Sequence, residues 1–259
     1  MNNTVIENTA VNILKNPKSF LLRQLAFLLG FSVMCLALVS SAFFISERIV
    51  SFGNDKNASV PLNERVTVII DAGHGGRDGG ASSDDGTLEK DLNLAVAKKV
   101  KALLSVCDID IVMTRESDIM LAEESSTHKK RDDLNARLHT ADKYENAIFV
   151  SIHMNKFPVK KYSGLQVYYS KNNAGGKILA DMIGEKTTLF LQKDNDRKSK
   201  AADSSIYILH NIRVPAVLVE CGFLSNDEET KLLKNEEYQD KLAALISMSI
   251  LDFISDTST

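Results

Sequence analysis

The chain has 259 residues, 44% of them hydrophobic, and a formal net charge of -3. That length suits one domain of ordinary size with room for a further segment, and the mild acidity lacks the basic footprint of a nucleic-acid binder. Three cysteines, Cys35, Cys107 and Cys221, are too few for a disulfide scaffold; Cys107 and Cys221 read as small buried hydrophobes rather than a bridge or a thiol nucleophile.

In chain order, the first feature is an uncharged stretch from Leu25 to Ile45, roughly 20 residues and so enough to span a bilayer. Lys15, Lys18 and Arg23 precede it. The positive-inside rule then puts residues 1–24 in the cytoplasm and everything after the span outside the membrane. A cleaved signal peptide is the rival reading, since Ser40-Ser41-Ala42 offers a small-residue cleavage site, giving a secreted form. Residues 46–64, polar and carrying Gly53 and Pro61, read as a tether. Residues 65–259 then form one domain of ordinary size.

Val66 to Asp71 is nearly continuous in apolar and β-branched residues, the pattern of a strand buried on both faces. Glu89 to Leu104 has a loosely helical apolar spacing. Ile109 to Thr114 is the next strand, Arg131 to Lys143 a helix, and Ala147 to His153 and Gly164 to Tyr169 two further strands. Asn173 to Leu191 is helical, Ser205 to Leu209 a short strand, and Val214 to Glu220 the last strand. Two helices, Asn226 to Leu233 and Glu236 to Ile254, end the chain; Asn226 is placed to cap the first, with Glu229 at the capping-box position. Strands alternating with helices predict a three-layer α/β domain with a mostly parallel sheet.

His74, His153 and Glu220 all fall at or just past the carboxyl ends of predicted strands, where sites gather in such sheets. Two imidazoles and one carboxylate make a three-ligand zinc set that leaves a position open for hydrolysis, and a further carboxylate can move the proton. Gly73, Gly75, Gly76, Gly79 and Gly80 around His74 allow close backbone approach. That glycine loop lacks the lysine of a phosphate-binding loop and has no dinucleotide spacing. Spacing alone does not choose Glu89 over Asp78, Asp84, Asp85 or Asp91. His128 and His139 lie in polar surroundings, and His210 ends the short predicted strand near the site, where it can meet substrate or support a ligand. Arg115 and Arg137 are cations suited either to substrate carboxylates or to surface salt bridges.

Four segments, Asp71 to Ala81, Leu88 to Leu94, Ser151 to Asn155 and Pro215 to Asn226, resemble in order the motifs of the zinc-dependent N-acetylmuramoyl-L-alanine amidases of the amidase-3 family. The resemblance covers about residues 66–254. It implies Glu89 as the third zinc ligand beside His74 and His153, Glu220 as the catalytic carboxylate, and peptidoglycan as substrate. Within its third motif, Asn155 joins Arg115, Arg137 and His210 as a candidate substrate contact. Ala72, Met154 and Cys221 depart from the residues common in the family, and none of them removes a ligand. A single catalytic domain on an N-terminal anchor is similar to the amidases that endospore formers use on the spore cortex, before muramic-δ-lactam forms. With no wall-binding repeats expected, and too few residues between Asn155 and Gly164 for a helix that plugs the site, control is expected from metal occupancy or from an extracytoplasmic partner. Two other classes compete: an inactive peptidoglycan-binding or partner-activating membrane protein, and a zinc peptidase or deacetylase on a similar frame.

Overall fold

The computed structural model describes residues 65–257, which belong to one compact unit, Pro61–Thr259. The expected span, its cytoplasmic flank and the tether lie outside the described residues. Within the described residues no helix is long and apolar enough to cross a membrane.

Six strands form one sheet: β1 (Thr67–Ala72), β2 (Asp110–Met113), β3 (Ala147–Asn155), β4 (Gln166–Tyr169), β5 (Lys200–Ala201) and β6 (Ala216–Phe223), in the order β2-β1-β3-β6-β4-β5. The central strands β1, β3 and β6 are parallel, as expected, and buried almost throughout. β4 instead runs antiparallel to β6. The reason is its connection: residues 156–165 carry no helix, and without a crossover element the chain can only turn back. The same segment holds no plug, in line with its length.

Helices cover the two faces unequally. α1 (Glu89–Leu104), α3 (Ala174–Phe190) and α6 (Glu236–Thr257) pack on one face, where Val96, Val100, Leu179, Ile183, Ile246 and Ile250 close over Val68, Ile70, Ile152 and Val219. In α1 the buried positions 89, 92, 93, 96, 97, 100 and 104 follow one helical stripe. Leu103, counted among its apolar positions, is exposed. Among the described residues, the other face carries only α2 (Lys129–Asp142) and the short α4 (Tyr207–Asn211), packed on Ile69, Phe149 and Leu218. α5 (Asp227–Lys234) joins β6 to α6. The second face is therefore left open toward the carboxyl ends of β1, β3 and β6, and that opening is where the site forms.

Two local expectations are corrected. Ser205 to Leu209 is not a strand: a turn at Asp203, whose carboxylate accepts from Ser205 N at 2.8 Å, leads into α4. Ile208, Leu209 and Ile212 are buried at a helical spacing. The strand in that region is Lys200–Ala201, whose exposed polar and small residues give no apolar signal. At α5, Asn226 does cap the helix, accepting from Glu228 N and Glu229 N. Glu229 does not complete a capping box. Its carboxylate reaches instead to Gly164 N at 2.9 Å and Phe223 N at 2.8 Å, tying the β3–β4 connection to the end of β6.

The two α5 residues should therefore separate in unfolding experiments. Asn226→Ala should cost about 1 kcal/mol, the value of a lost helix cap. Glu229→Ala strands two backbone donors and should cost about 2–4 kcal/mol. Equal losses in denaturant titration would contradict this division.

Candidate active site

β1 delivers its chain end into the glycine loop, and the first residue past the turn, His74, has a φ of 61°. A non-glycine residue held in the left-handed region costs of order 1–3 kcal/mol and persists only where surroundings fix it. Here two buried guanidiniums fix it. Arg137 donates from Nε to Asp133 at 2.8 Å, from Nη1 to Asp71 at 2.6 Å and to the Ala72 carbonyl at 2.8 Å, and from Nη2 to the His74 carbonyl at 2.7 Å. Arg115 donates to the carbonyls of Ala72 at 2.8 Å, Gly73 at 3.0 Å and Lys90 at 2.8 Å. Both arginines are almost wholly buried, at 2% and 1% exposure for Arg115 and Arg137. Neither is a solvated salt bridge: their donors go to the buried carboxylates of Asp71 and Asp133 and to the backbone carbonyls around His74.

Asp71 supplies the compensating charge. Burial pushes its carboxyl up, but Arg137 and the hydroxyls of Ser151 (2.6 Å) and Thr114 (2.7 Å) outweigh that and hold it below the usual carboxylate range.

Three side chains then converge. Glu89, at the first turn of α1 and 4% exposed, places Oε1 2.8 Å from His153 Nδ1 and 3.2 Å from His74 Nε2. Its Oε2 accepts from Ala81 N at 2.8 Å, and Asn93 Nδ2 approaches Oε1 at 3.3 Å. One donor atom from each of His74, Glu89 and His153 lies within 4.8 Å of the others, a set able to hold a metal ion. The imidazoles sit edge to face with centroids 5.0 Å apart. His74 Nδ1 is held at 2.9 Å by Asp78, which leaves Nε2 turned toward Glu89. Burial depresses the His74 imidazole, yet its hydrogen bonds to Asp78 and Glu89 prevail and raise it to about 9. Burial likewise opposes ionisation of Glu89, and the two imidazoles overcome it to draw the carboxyl below its ordinary range.

Glycine is required at two places here. A Cβ on Gly73 would stand 2.2 Å from the His153 ring, and one on Gly80, at φ +67°, would stand 2.5 Å from Glu89 Oε2 and 2.7 Å from His74 Cδ2.

Glu220 is opposite His153 in the β3–β6 register, on the same open face. Its Oε2 is buried with no hydrogen-bond partner. Burial raises its carboxyl to about 7, against the opposing pull of His153 and His74. Cys221, its neighbour, points to the other face, fully buried, and burial pushes its thiol far up; Cys107 and Cys221 are both free.

The remaining expected contacts divide. Asn155 ends β3 two residues past His153, half-buried, with its carbonyl accepting from Leu224 N at 2.7 Å, so it stays at the edge of the site. His210 does not: it is exposed, and its carbonyl accepts from Asn172 beyond the far end of β4, away from Glu220. Ile208 is the α4 residue that faces the cleft, together with His74, His153, Asp78, Lys130 and Leu134. Asp71, Asp78 and Lys130 had no assigned role in the sequence reading. Asp71 and Arg137 are 66 residues apart, a pairing that no local spacing displays.

The α/β sheet thus brings a His-Glu-His trio able to hold a metal ion beside a carboxyl whose buried Oε2 has no partner. The N-acetylmuramoyl-L-alanine amidase family model matches residues 68–252, and the chain belongs to that family of peptidoglycan amidases. It is 35% identical over 238 residues to the germination-specific N-acetylmuramoyl-L-alanine amidase of Bacillus subtilis, covering 91% of this chain and 96% of that protein. Among solved structures, the CwlD amidase of Clostridioides difficile in complex with the GerS lipoprotein matches with a TM-score of 0.70 at 40% identity, over 73% of this chain and 98% of that one. The amidase AmiC2 of Nostoc punctiforme matches with a TM-score of 0.64 at 30% identity, over 73% and 97%.

The arginine scaffold is testable apart from activity. Arg137→Ala leaves Asp71 and Asp133 buried without their cation and should cost about 3–5 kcal/mol. Arg137→Lys restores the charge without the planar fork, so its stability in guanidinium titration should fall between the two. Wild-type stability in Arg137→Ala would remove the scaffold role.

Proposed function

We propose that this amidase is zinc-dependent, with His74, Glu89 and His153 as the metal ligands and Glu220 as the catalytic carboxylate. The observation that carries this reading is the convergence of that trio beside a buried carboxyl lacking any partner. Two imidazoles and a carboxylate are a hydrolytic zinc donor set. The charge pattern also suits a divalent cation, which would replace the proton that Glu89 and Asp78 draw onto the His74 imidazole.

The bond cleaved is the amide between the lactyl group of muramic acid and L-alanine of the stem peptide. Bound zinc supplies Lewis acidity to the scissile carbonyl and acidifies water. Glu220 takes the proton released as water attacks and returns it to the departing alanine nitrogen, which cannot leave as an unprotonated amide anion. A carboxyl near 7 is matched to both halves of that task at neutral pH. Asp78 keeps the His74 ring oriented, while Ala81 N and Asn93 keep Glu89 from swinging away.

The purified chain should carry about one zinc. His74→Ala or His153→Ala should lose metal and activity together. Glu220→Gln should retain zinc and lower kcat by about 100-fold or more. Zinc loss in Glu220→Gln would instead exchange the roles of Glu220 and Glu89.

We further place this enzyme on the spore cortex, removing stem peptides before muramic-δ-lactam forms. The supporting observation is the near full-length match to a germination-specific relative. The uncharged stretch from Leu25 to Ile45, with cations before it, supports a membrane anchor with the catalytic domain outside the cytoplasm. The solved relative's lipoprotein complex supports an extracytoplasmic partner that favours the active state. Muropeptide analysis of cortex from a strain lacking the gene should find muramic-δ-lactam absent. Normal lactam content would refute the sporulation role and leave the amidase chemistry standing.

A further inference from the structure

Two cations line the cleft that holds His74 and His153: Arg137 and Lys130. Arg137 is spent on Asp71, Asp133 and backbone carbonyls. Lys130, in the first turn of α2, keeps a side chain 74% exposed, and its Nζ stands 4.0 Å from Asp78 Oδ2. That pairing is loose, since Asp78 is committed at 2.9 Å to His74 and also accepts from Gly80 N at 3.1 Å. The third acid of the cleft, Asp133, is likewise occupied by Arg137 and by Leu121 N at 2.7 Å. An exposed ammonium thus lines the cleft, and its one protein anion, Asp78 at 4.0 Å, is already hydrogen-bonded to His74 and Gly80 N.

The substrate's chemistry says what it would meet. The muramic carboxyl is consumed in the scissile amide, so an anion near that bond belongs to the peptide side. The second stem residue, a γ-linked glutamate, carries there an α-carboxylate or its amide. We propose that Lys130 is a specificity-determining residue that binds this carboxylate, so that the enzyme prefers stem peptides in which it is free. The inference rests on the zinc amidase reading of the same cleft. It also puts the substrate cation three residues before Asp133 and seven before the buried Arg137 on one helix, where the sequence offered the arginine as one candidate for that role.

The test uses the full zinc-loaded chain and two soluble muropeptides that differ only in a free or amidated glutamate α-carboxyl. Wild type should favour the free acid, and Lys130→Ala should raise its KM about 5-fold with little change in kcat, the scale of an exposed ion pair. Lys130→Arg should stay within about 2-fold of wild type, and raising the salt concentration should erode the wild-type preference. On the amidated substrate Lys130→Ala and wild type should converge. An equal loss on both substrates would mark Lys130 as structural and overturn the proposal, as would no loss on either. Failure of wild type to cleave either muropeptide would overturn the zinc amidase reading and this one together.

Discussion

The interaction on which the rest depends is the buried pairing of Asp71 with Arg137, 2.6 Å apart at the end of β1. A buried ion pair adds little net stability, because desolvating both charges offsets their attraction. Its value lies in what the guanidinium does next. The chain leaving β1 must turn sharply to present His74, and in doing so points the carbonyls of Ala72, Gly73 and His74 into the protein. Buried carbonyls without donors are costly. Arg137 and Arg115 serve all three, and Asp71 balances the charge that this brings inside. The pair thereby converts a strand end into a fixed left-handed turn carrying an imidazole.

The same network reaches the second histidine. Ser151, two residues before His153 on β3, donates to Asp71, so the register of β1 against β3 is pinned on the face where His153 projects. β6 adds Glu220 opposite His153. Glu89, His153 and Glu220 thus sit on a helix start or near strand ends whose positions are set by core packing, and only His74 comes from the irregular glycine loop between Gly73 and Leu88. That loop is itself fastened by Glu89, which accepts from Ala81 N while facing the imidazoles.

Much of this was legible in the sequence, and the failures have physical causes. Continuous apolar runs gave β1, β3 and β6, because burial on both faces leaves no alternation to confuse. Strand ends then located His74, His153 and Glu220. Glu89 was not selected by spacing, since five carboxylates crowd its region; the family motifs chose it, and the structure brings it to the two imidazoles. The burial of Arg115 and Arg137 was not legible because charge normally signals solvent, and partners such as Gly73 and Asp71 lie 42 and 66 residues away from them. α4 was taken for a strand because Ile206, Tyr207 and Ile208 are strand-favouring types, whereas Ile208, Leu209 and Ile212 show the helical spacing that decided it. β5, two exposed residues paired to β4, carries no pattern at all.

The carboxylates of the site fall into two kinds, and the difference explains why one of them can do chemistry. Asp71 has a guanidinium and two hydroxyls, Asp78 an imidazole and a backbone amide, and Glu89 two imidazoles and two backbone amides. Each is held ionised by its partners and is poor at exchanging a proton near neutrality. Glu220 alone has a buried oxygen with no donor aimed at it, so burial rather than pairing governs its affinity for a proton. An unpaired buried acid costs stability, and a fold shaped only for stability would give it a donor; Gln166, directly across the β4–β6 pair, is near enough in register to be one. Gln166 instead turns its amide to the carbonyls of Val167 and Lys198. The sheet therefore leaves a Glu220 oxygen unpaired beside the His74-Glu89-His153 trio, and the proposed proton transfer rests on that imbalance.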